Sequence, residues 1–204
     1  MTFLWKVFQS YRETASGTQG EVVNNKTAEW SIKRRSLSYG FYVVRFFTQV
    51  TGYLNVTSSD FGFLNITKTL LEARIAGGSR LVRGFNKLHT FDASLSRDPD
   101  VESSDKTGLS FAWFCRKLQE SWPEGDLLTL PSVSSLTNGN NAGGCFGTGI
   151  GRLSAKSNLT INTGNMIENQ EYVFKVLVMK DYRRSDAEQV IRVVLGDPPV
   201  IVIR

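Results

Sequence analysis

The sequence predicts an all-β protein, with immunoglobulin-like or fibronectin-III-like β-sandwiches in tandem and the first one truncated at its N-terminus. Three observations carry this. Runs rich in β-branched and aromatic residues recur along the 204-residue chain: FYVVRFFTQV (41–50), LSFAWFCR (109–116), EYVFKVLVMK (171–180) and QVIRVVL (189–195). No segment sustains a long 3.6-residue apolar period between helix caps. The pattern is also written twice. Tyr42-Val-Val-Arg-Phe-Phe is answered 130 residues later by Tyr172-Val-Phe-Lys-Val-Leu, and the opening FLWKVF by FAWFCR, which sets Trp5 opposite Trp113.

Each element follows in order. Phe3, Trp5 and Val7 alternate with Leu4, Lys6 and Phe8, as in a half-buried strand. Trp30-Ser-Ile32 answers Leu159-Thr-Ile161, and FLNITKTLLEARI (63–75) answers the last strand of the second copy. Within it TKTLLEARI (67–75) admits a short helix, but its β-branched setting favours strand. In the second copy, SRLVRGF (79–85) and KLHTFDAS (87–94) supply strands A and B. A sandwich of this kind buries a tryptophan on strand C and anchors a corner through a tyrosine early in strand F. Leu109, Phe111, Trp113 and Cys115 share one face, as do Tyr172, Phe174, Val176 and Val178, so Trp5, Tyr42, Trp113 and Tyr172 are read as structural core.

The copies differ in what surrounds these landmarks. Nothing before Trp5 can serve as strands A and B, so residues 1–76 are expected to form an incomplete sandwich, strands C to G. Residues 77–197 form a complete one, and 198–204 read as a linker and the start of a further domain. Tryptophan and tyrosine are 37 residues apart in the first copy and 59 in the second, which places an insertion, with a cysteine, at about 118–151.

Composition narrows the function classes. A 41% hydrophobic and 21% charged chain is an ordinary globular one, and no apolar run approaches the roughly 20 residues a membrane helix needs. No signal peptide is recognisable. The net charge of +5 is scattered, densest at Lys33-Arg34-Arg35 and Arg183-Arg184. Neither cluster sits on a nucleic-acid motif, so loop solubility is preferred and no nucleic-acid partner is expected. Gly147-Thr-Gly149-Ile-Gly151 lacks dinucleotide spacing and the lysine of a phosphate loop. His89 is the only histidine, with no strained serine elbow to serve, and the chain is not expected to be an enzyme.

Three sets of residues remain. Asn25, Asn55, Asn65 and Asn158 each open an Asn-x-Thr sequon, a mild excess over chance that leans toward an extracellular chain. Cys115 and Cys145 are the only cysteines. They are either two unrelated buried thiols or, in an oxidising compartment, a bridge closing a loop of about 30 residues; because Cys145 sits in a glycine-rich polar loop, the Cys115–Cys145 bridge is the preferred reading for an extracellular chain. Asp92, Asp98, Asp100, Glu102 and Asp105 gather in one loop, and Asp98, Asp100 and Asp105 are the candidates for Ca²⁺, the one cofactor considered. A turn whose side chains bond local backbone N–H groups is the preferred account. A Ca²⁺- or carbohydrate-binding adhesion module using 92–105 is the alternative function.

FDASLSRDPD followed by LSFAWFC, a cysteine-bearing insertion and then ENQEYVFKVLVMKDYRRSDAEQVIRVVLGDPPVIVI resembles the receptor-for-egg-jelly module of the polycystin-1 family. SLSYGFYVVRFFTQVTG is similar to the tyrosine-bearing strand of that module, so the resemblance covers nearly the whole chain. It implies a non-enzymatic extracellular scaffold in a multi-pass membrane receptor, near an autoproteolysis site and linked to ion-channel (calcium) signalling. The partners it implies are neighbouring domains of the parent protein and an extracellular glycoprotein or carbohydrate ligand.

Overall fold

The computed structural model describes residues 1–9, 21–24 (backbone only), 27–133, 144–147, 149–196 and 198. The chain divides into two compact units, Met1–Lys68 and Thr69–Arg204.

In the first unit, β1 (Thr2–Gln9), β2 (Glu21–Asn24), β3 (Gly40–Gln49) and β4 (Thr57–Ile66) form one antiparallel sheet in the order β2-β1-β3-β4. Alternation sends Trp5, Val7 and Tyr42 to one face, where Val7 and Tyr42 are buried. Trp5 packs on Phe46 at 4.5 Å and on Trp30 at 6.2 Å between ring centroids. Trp30–Ile32, matched in sequence to a strand of the second copy, is not a strand; Trp30 covers Trp5 from an irregular segment, and the Trp5 indole N–H donates to the Thr27 carbonyl at 3.3 Å.

The second unit is a two-sheet sandwich. β5 (Arg80–Gly84), β7 (Ser110–Lys117), β9 (Glu171–Lys180) and β10 (Arg183–Val194) form one sheet, ordered β5-β10-β9-β7 with β5 parallel to β10. β6 (Leu88–Asp92) and β8 (Asn158–Asn162) pair as the other. Phe91, Leu159 and Ile161 of the smaller sheet meet Trp113, Tyr172, Phe174 and Val176 of the larger. Phe91 stacks on Phe174 at 4.1 Å, and the Trp113 indole N–H donates to the Lys156 carbonyl at 3.0 Å.

The sequence repeat holds at the level of register. Trp5 stands opposite Phe46 and Trp113 opposite Val176, in each unit the residue four after the tyrosine. Both tyrosines close the corner expected of strand F. The Tyr42 hydroxyl donates to the Ser38 carbonyl at 2.8 Å, and the Tyr172 hydroxyl accepts from the Ile167 N–H at 2.8 Å.

Residues 67–75 depart from the strand expectation. Their only ladder contact is an isolated bridge between Glu72 and Arg97. They also belong with the second unit, so the division falls after Lys68 and not after 76. Leu71 is buried in the second unit's core and Ala73 and Ile75 pack against it. Arg97 grips Glu72 with two N–H donors at 2.9 and 3.1 Å, and buried Gln189 donates to the Ala76 carbonyl at 3.0 Å.

Candidate functional site: an arginine clasp and a sulfur tether

The acidic loop is organised around an arginine. Asp98, only 1% exposed, receives both terminal nitrogens of Arg183, at 2.9 and 2.8 Å, in the fork geometry that suits a carboxylate. Lys180 lies 3.0 Å from the same carboxylate, and the Asp100 N–H donates to it at 3.1 Å. Asp100 accepts from Arg183 at 3.0 Å and from the Thr69 N–H and hydroxyl at 2.9 and 2.6 Å, while Arg183 also donates to the Thr69 carbonyl at 2.9 Å. The clasp ties three distant segments: Thr69, the 98–100 turn and the β9–β10 turn. The Arg183 guanidinium, foremost, holds the Asp98 carboxyl well below the usual carboxylate range, against the opposing cost of burial.

The rest of the Asp-x-Ser-x-Ser-x-Asp-Pro-Asp run serves the same end. The Asp92 carboxylate accepts from the Ser94 N–H at 2.8 Å, capping its own turn. The buried Ser96 hydroxyl accepts from the Arg74 N–H at 3.0 Å and donates back to the Arg74 carbonyl at 3.2 Å. Of the three aspartates considered for Ca²⁺, the structure gathers Asp98 and Asp100 around a cationic side chain and leaves Asp105 on a separate turn, accepting from the Thr107 N–H at 2.8 Å. Among the described residues no three His, Cys, Asp or Glu side chains converge as a metal cage. A cation at Asp98 would have to displace Arg183.

Of Arg183-Arg184, only the second is solvated: Arg183 is buried, while Arg184 is exposed and pairs with Asp126 at 3.1 Å. His89 is engaged too: its Nδ1 accepts from Arg83 at 3.0 Å, its ring meets Phe91 edge-on at 4.6 Å, and its Nε2 is buried without a partner. Burial, and secondarily the Arg83 charge, lower its pKa from 6.5 to about 4, so it is neutral at physiological pH.

Cys115 and Cys145 form a disulfide, with Cα atoms 5.6 Å apart. It fastens the insertion to β7 and draws Cys145 and Phe146 into the inner core. Gly144 makes that approach feasible, because a Cβ there would lie 2.7 Å from the Cys115 carbonyl oxygen. The insertion then does something the sequence did not signal. Trp122, Leu127, Leu128, Leu130 and Ile150 lie over Ala112, Phe114 and Leu177, making a second core on the outer side of the sheet. Trp122 has the Arg116 and Lys175 charges 4.9 and 5.1 Å from its ring and donates its N–H to Glu188 at 2.9 Å.

The sequons lie at the surface where described. Asn55 is exposed in the β3–β4 turn, Asn65 on β4 and Asn158 at the start of β8; Asn25 lies outside the described residues.

Comparison with known proteins assigns the lineage. The REJ domain family matches residues 1–204. This chain belongs to the REJ domain family. The REJ domain is 24% identical over 183 residues to the mouse polycystin family receptor for egg jelly, covering 88% of this chain and 8% of that protein. The human protein of the same name is 25% identical over 169 residues, 81% of this chain and 7% of the relative. The REJ domain thus spans less than a tenth of either relative's length. Among solved structures, the amphioxus IgVJ-C2 molecule aligns with 94% of the chain and 88% of its own, at 12% identity and a TM-score of 0.33. No helix among the described residues is long and apolar enough to cross a membrane. REJ domains of the polycystin family are receptor-type modules, and in this one the aspartate-serine run is a structural knot.

Proposed function

We propose that this REJ domain is a non-enzymatic extracellular scaffold of a polycystin-like multi-pass membrane receptor. It holds neighbouring domains of the parent protein and presents surfaces to a glycoprotein or carbohydrate ligand. It thereby supports membrane-proximal autoproteolysis and the calcium signalling that follows. The observation that carries this reading is the inward use of the clasp and the tether. Asp98, Asp100, Arg183 and the two cysteines join distant chain segments to one another and surround no reaction space. The disulfide favours an oxidising compartment.

The test is made in the full-length receptor in cells, reading surface arrival and the autoproteolysed fraction. Asp98→Ala is expected to lower both several-fold, while Asp105→Ala leaves them near wild type. Wild-type cleavage and delivery from an Asp98→Ala receptor whose isolated domain is destabilised would remove the scaffold reading.

A further inference from the structure

β4 is the outermost strand of the first unit's sheet among the described residues, ten residues long and exposed along most of its length. It carries Phe61 and Phe63, 53% and 64% exposed, and the neighbouring β3 adds Phe41 at 53%. A long, open edge with exposed aromatic rings invites pairing with other chains unless something blunts it. The sequence of the hairpin says what does. Tyr53-Leu54-Asn55-Val56-Thr57 is followed, ten residues on, by Phe63-Leu64-Asn65-Ile66-Thr67: in each an aromatic ring stands two residues before a sequon asparagine.

Two geometries bring ring and asparagine together. On β4 the side chains of Phe63 and Asn65 share a face by the two-residue alternation, and Phe41 stands directly across from Asn65. In the turn, the Val56 N–H bonds the Tyr53 carbonyl at 3.1 Å, which folds Tyr53 and Asn55 into one four-residue turn, with Tyr53 67% exposed. We propose that Asn55 and Asn65 both carry N-linked glycans and that the first N-acetylglucosamine of each lies on the aromatic ring two residues earlier, with Phe41 completing the platform at Asn65. The axial C–H groups of the sugar meet the negative face of the ring, and apolar ring surface leaves water. Asn158 has Lys156 at the equivalent position and offers its glycan no ring.

The inference rests on the extracellular reading above, because the donor belongs to the secretory pathway. There a lipid-pyrophosphate-linked oligosaccharide transfers its sugar to the asparagine. The amide nitrogen forms a bond to C1 of the first N-acetylglucosamine, the bond from C1 to the pyrophosphate oxygen breaks, and one amide proton leaves as the lipid pyrophosphate departs.

The whole chain is secreted from eukaryotic cells behind an added signal peptide, and its glycopeptides are mapped. Glycan on both Asn55 and Asn65 is expected. A bare Asn55 or Asn65 beside an occupied Asn158 overturns this inference and leaves the extracellular reading standing, and would return the aromatic edge to a protein partner. A folded, secreted product with every sequon bare overturns both. Trimming to a single N-acetylglucosamine is expected to keep the melting temperature, whereas complete removal lowers it by about 2–4 °C. In Phe63→Ala, an exposed position that folding tolerates, the loss at Asn65 is expected to vanish. An equal loss in Phe63→Ala and wild type overturns the stacking.

Discussion

The outer faces of the two sheets share a register and are finished in different ways. In the second unit β7, β9 and β10 present Phe114, Lys175 and Glu188, and the insertion lays Trp122 and Leu127 over them. In the first unit the matching positions on β1, β3 and β4 are Lys6, Arg45 and Phe61. Arg45 lies 5.7 Å over Phe8 and Lys6 lies 5.8 Å over Phe47, so the cations are spent on rings of their own sheet. The Trp-to-Tyr interval is 22 residues shorter here, and among the described residues Phe61 and Phe63 stay exposed. The same strand grammar fixes the inner face in both units. The long insertion of the second unit is what covers its outer face.

The largest break in that comparison comes at the clasp; the first unit has Tyr53 at the position that matches Arg183. Asp98→Ala takes the two-pronged carboxylate from buried Arg183 and leaves it Asp100 at 3.0 Å, which costs about 2–4 kcal/mol, toward the lower end for a broken buried pair. Denaturant titration of the two variants checks this, because Asp98→Leu with Arg183→Met, removing both charges, is expected to lose markedly less. Equal losses in the single and double variants would make the clasp mere packing.

Opening the tether comes next. Cys115→Ala with Cys145→Ala removes a closure of the kind that contributes about 3–4 kcal/mol over a 30-residue separation. The insertion is expected to loosen first, seen as faster amide exchange at Leu153, whose N–H donates to the Trp113 carbonyl at 2.8 Å, and at Trp113, whose N–H donates to the Ser154 carbonyl at 3.0 Å. Unchanged exchange there would mean that the insertion is held by its leucines alone. Trp122→Ala is smaller, about 1–3 kcal/mol, since the ring is only half-buried. It makes the second unit's outer face resemble the first, and increased binding of an apolar dye is the expected sign.

Much of this was legible in the sequence because it is periodic or paired by type. The two-residue alternation around Trp5 and Trp113 fixed their faces, and the Tyr42 and Tyr172 landmarks fixed the register. The ion pairs were not legible. Asp98 and Arg183 lie 85 residues apart, and nothing in a carboxylate's neighbours names its partner; Arg183-Arg184 therefore looked like a solvated patch. Residues 67–75 read as strand because β-branched content reports a half-buried surface, which Leu71 and Ile75 do provide, without a ladder partner beyond Arg97. The cover over the outer face was hidden because Trp122, Leu127 and Leu130 follow no period.

The smallest effect separates two acid-sensitive parts of the second unit. His89 has a folded pKa lowered from 6.5 to about 4, so the unfolded chain takes up its proton first as pH falls. Its contribution is fully present above about pH 6.5 and is lost as pH falls toward 4. Partial exposure screens the effect to about 1–2 kcal/mol. Asp98 behaves differently: its pKa is lowered from 3.8, so its contribution holds until pH falls below that value. Glu72, Asp92 and Asp105 are also lowered and act in that lower range. Stability measured between pH 7 and 5 therefore isolates the histidine. His89→Phe, which keeps a ring against Phe91, is expected to flatten stability across that interval while the fall below pH 4 persists. A slope that survives His89→Phe would place the titrating group elsewhere and remove the neutral state assigned to His89.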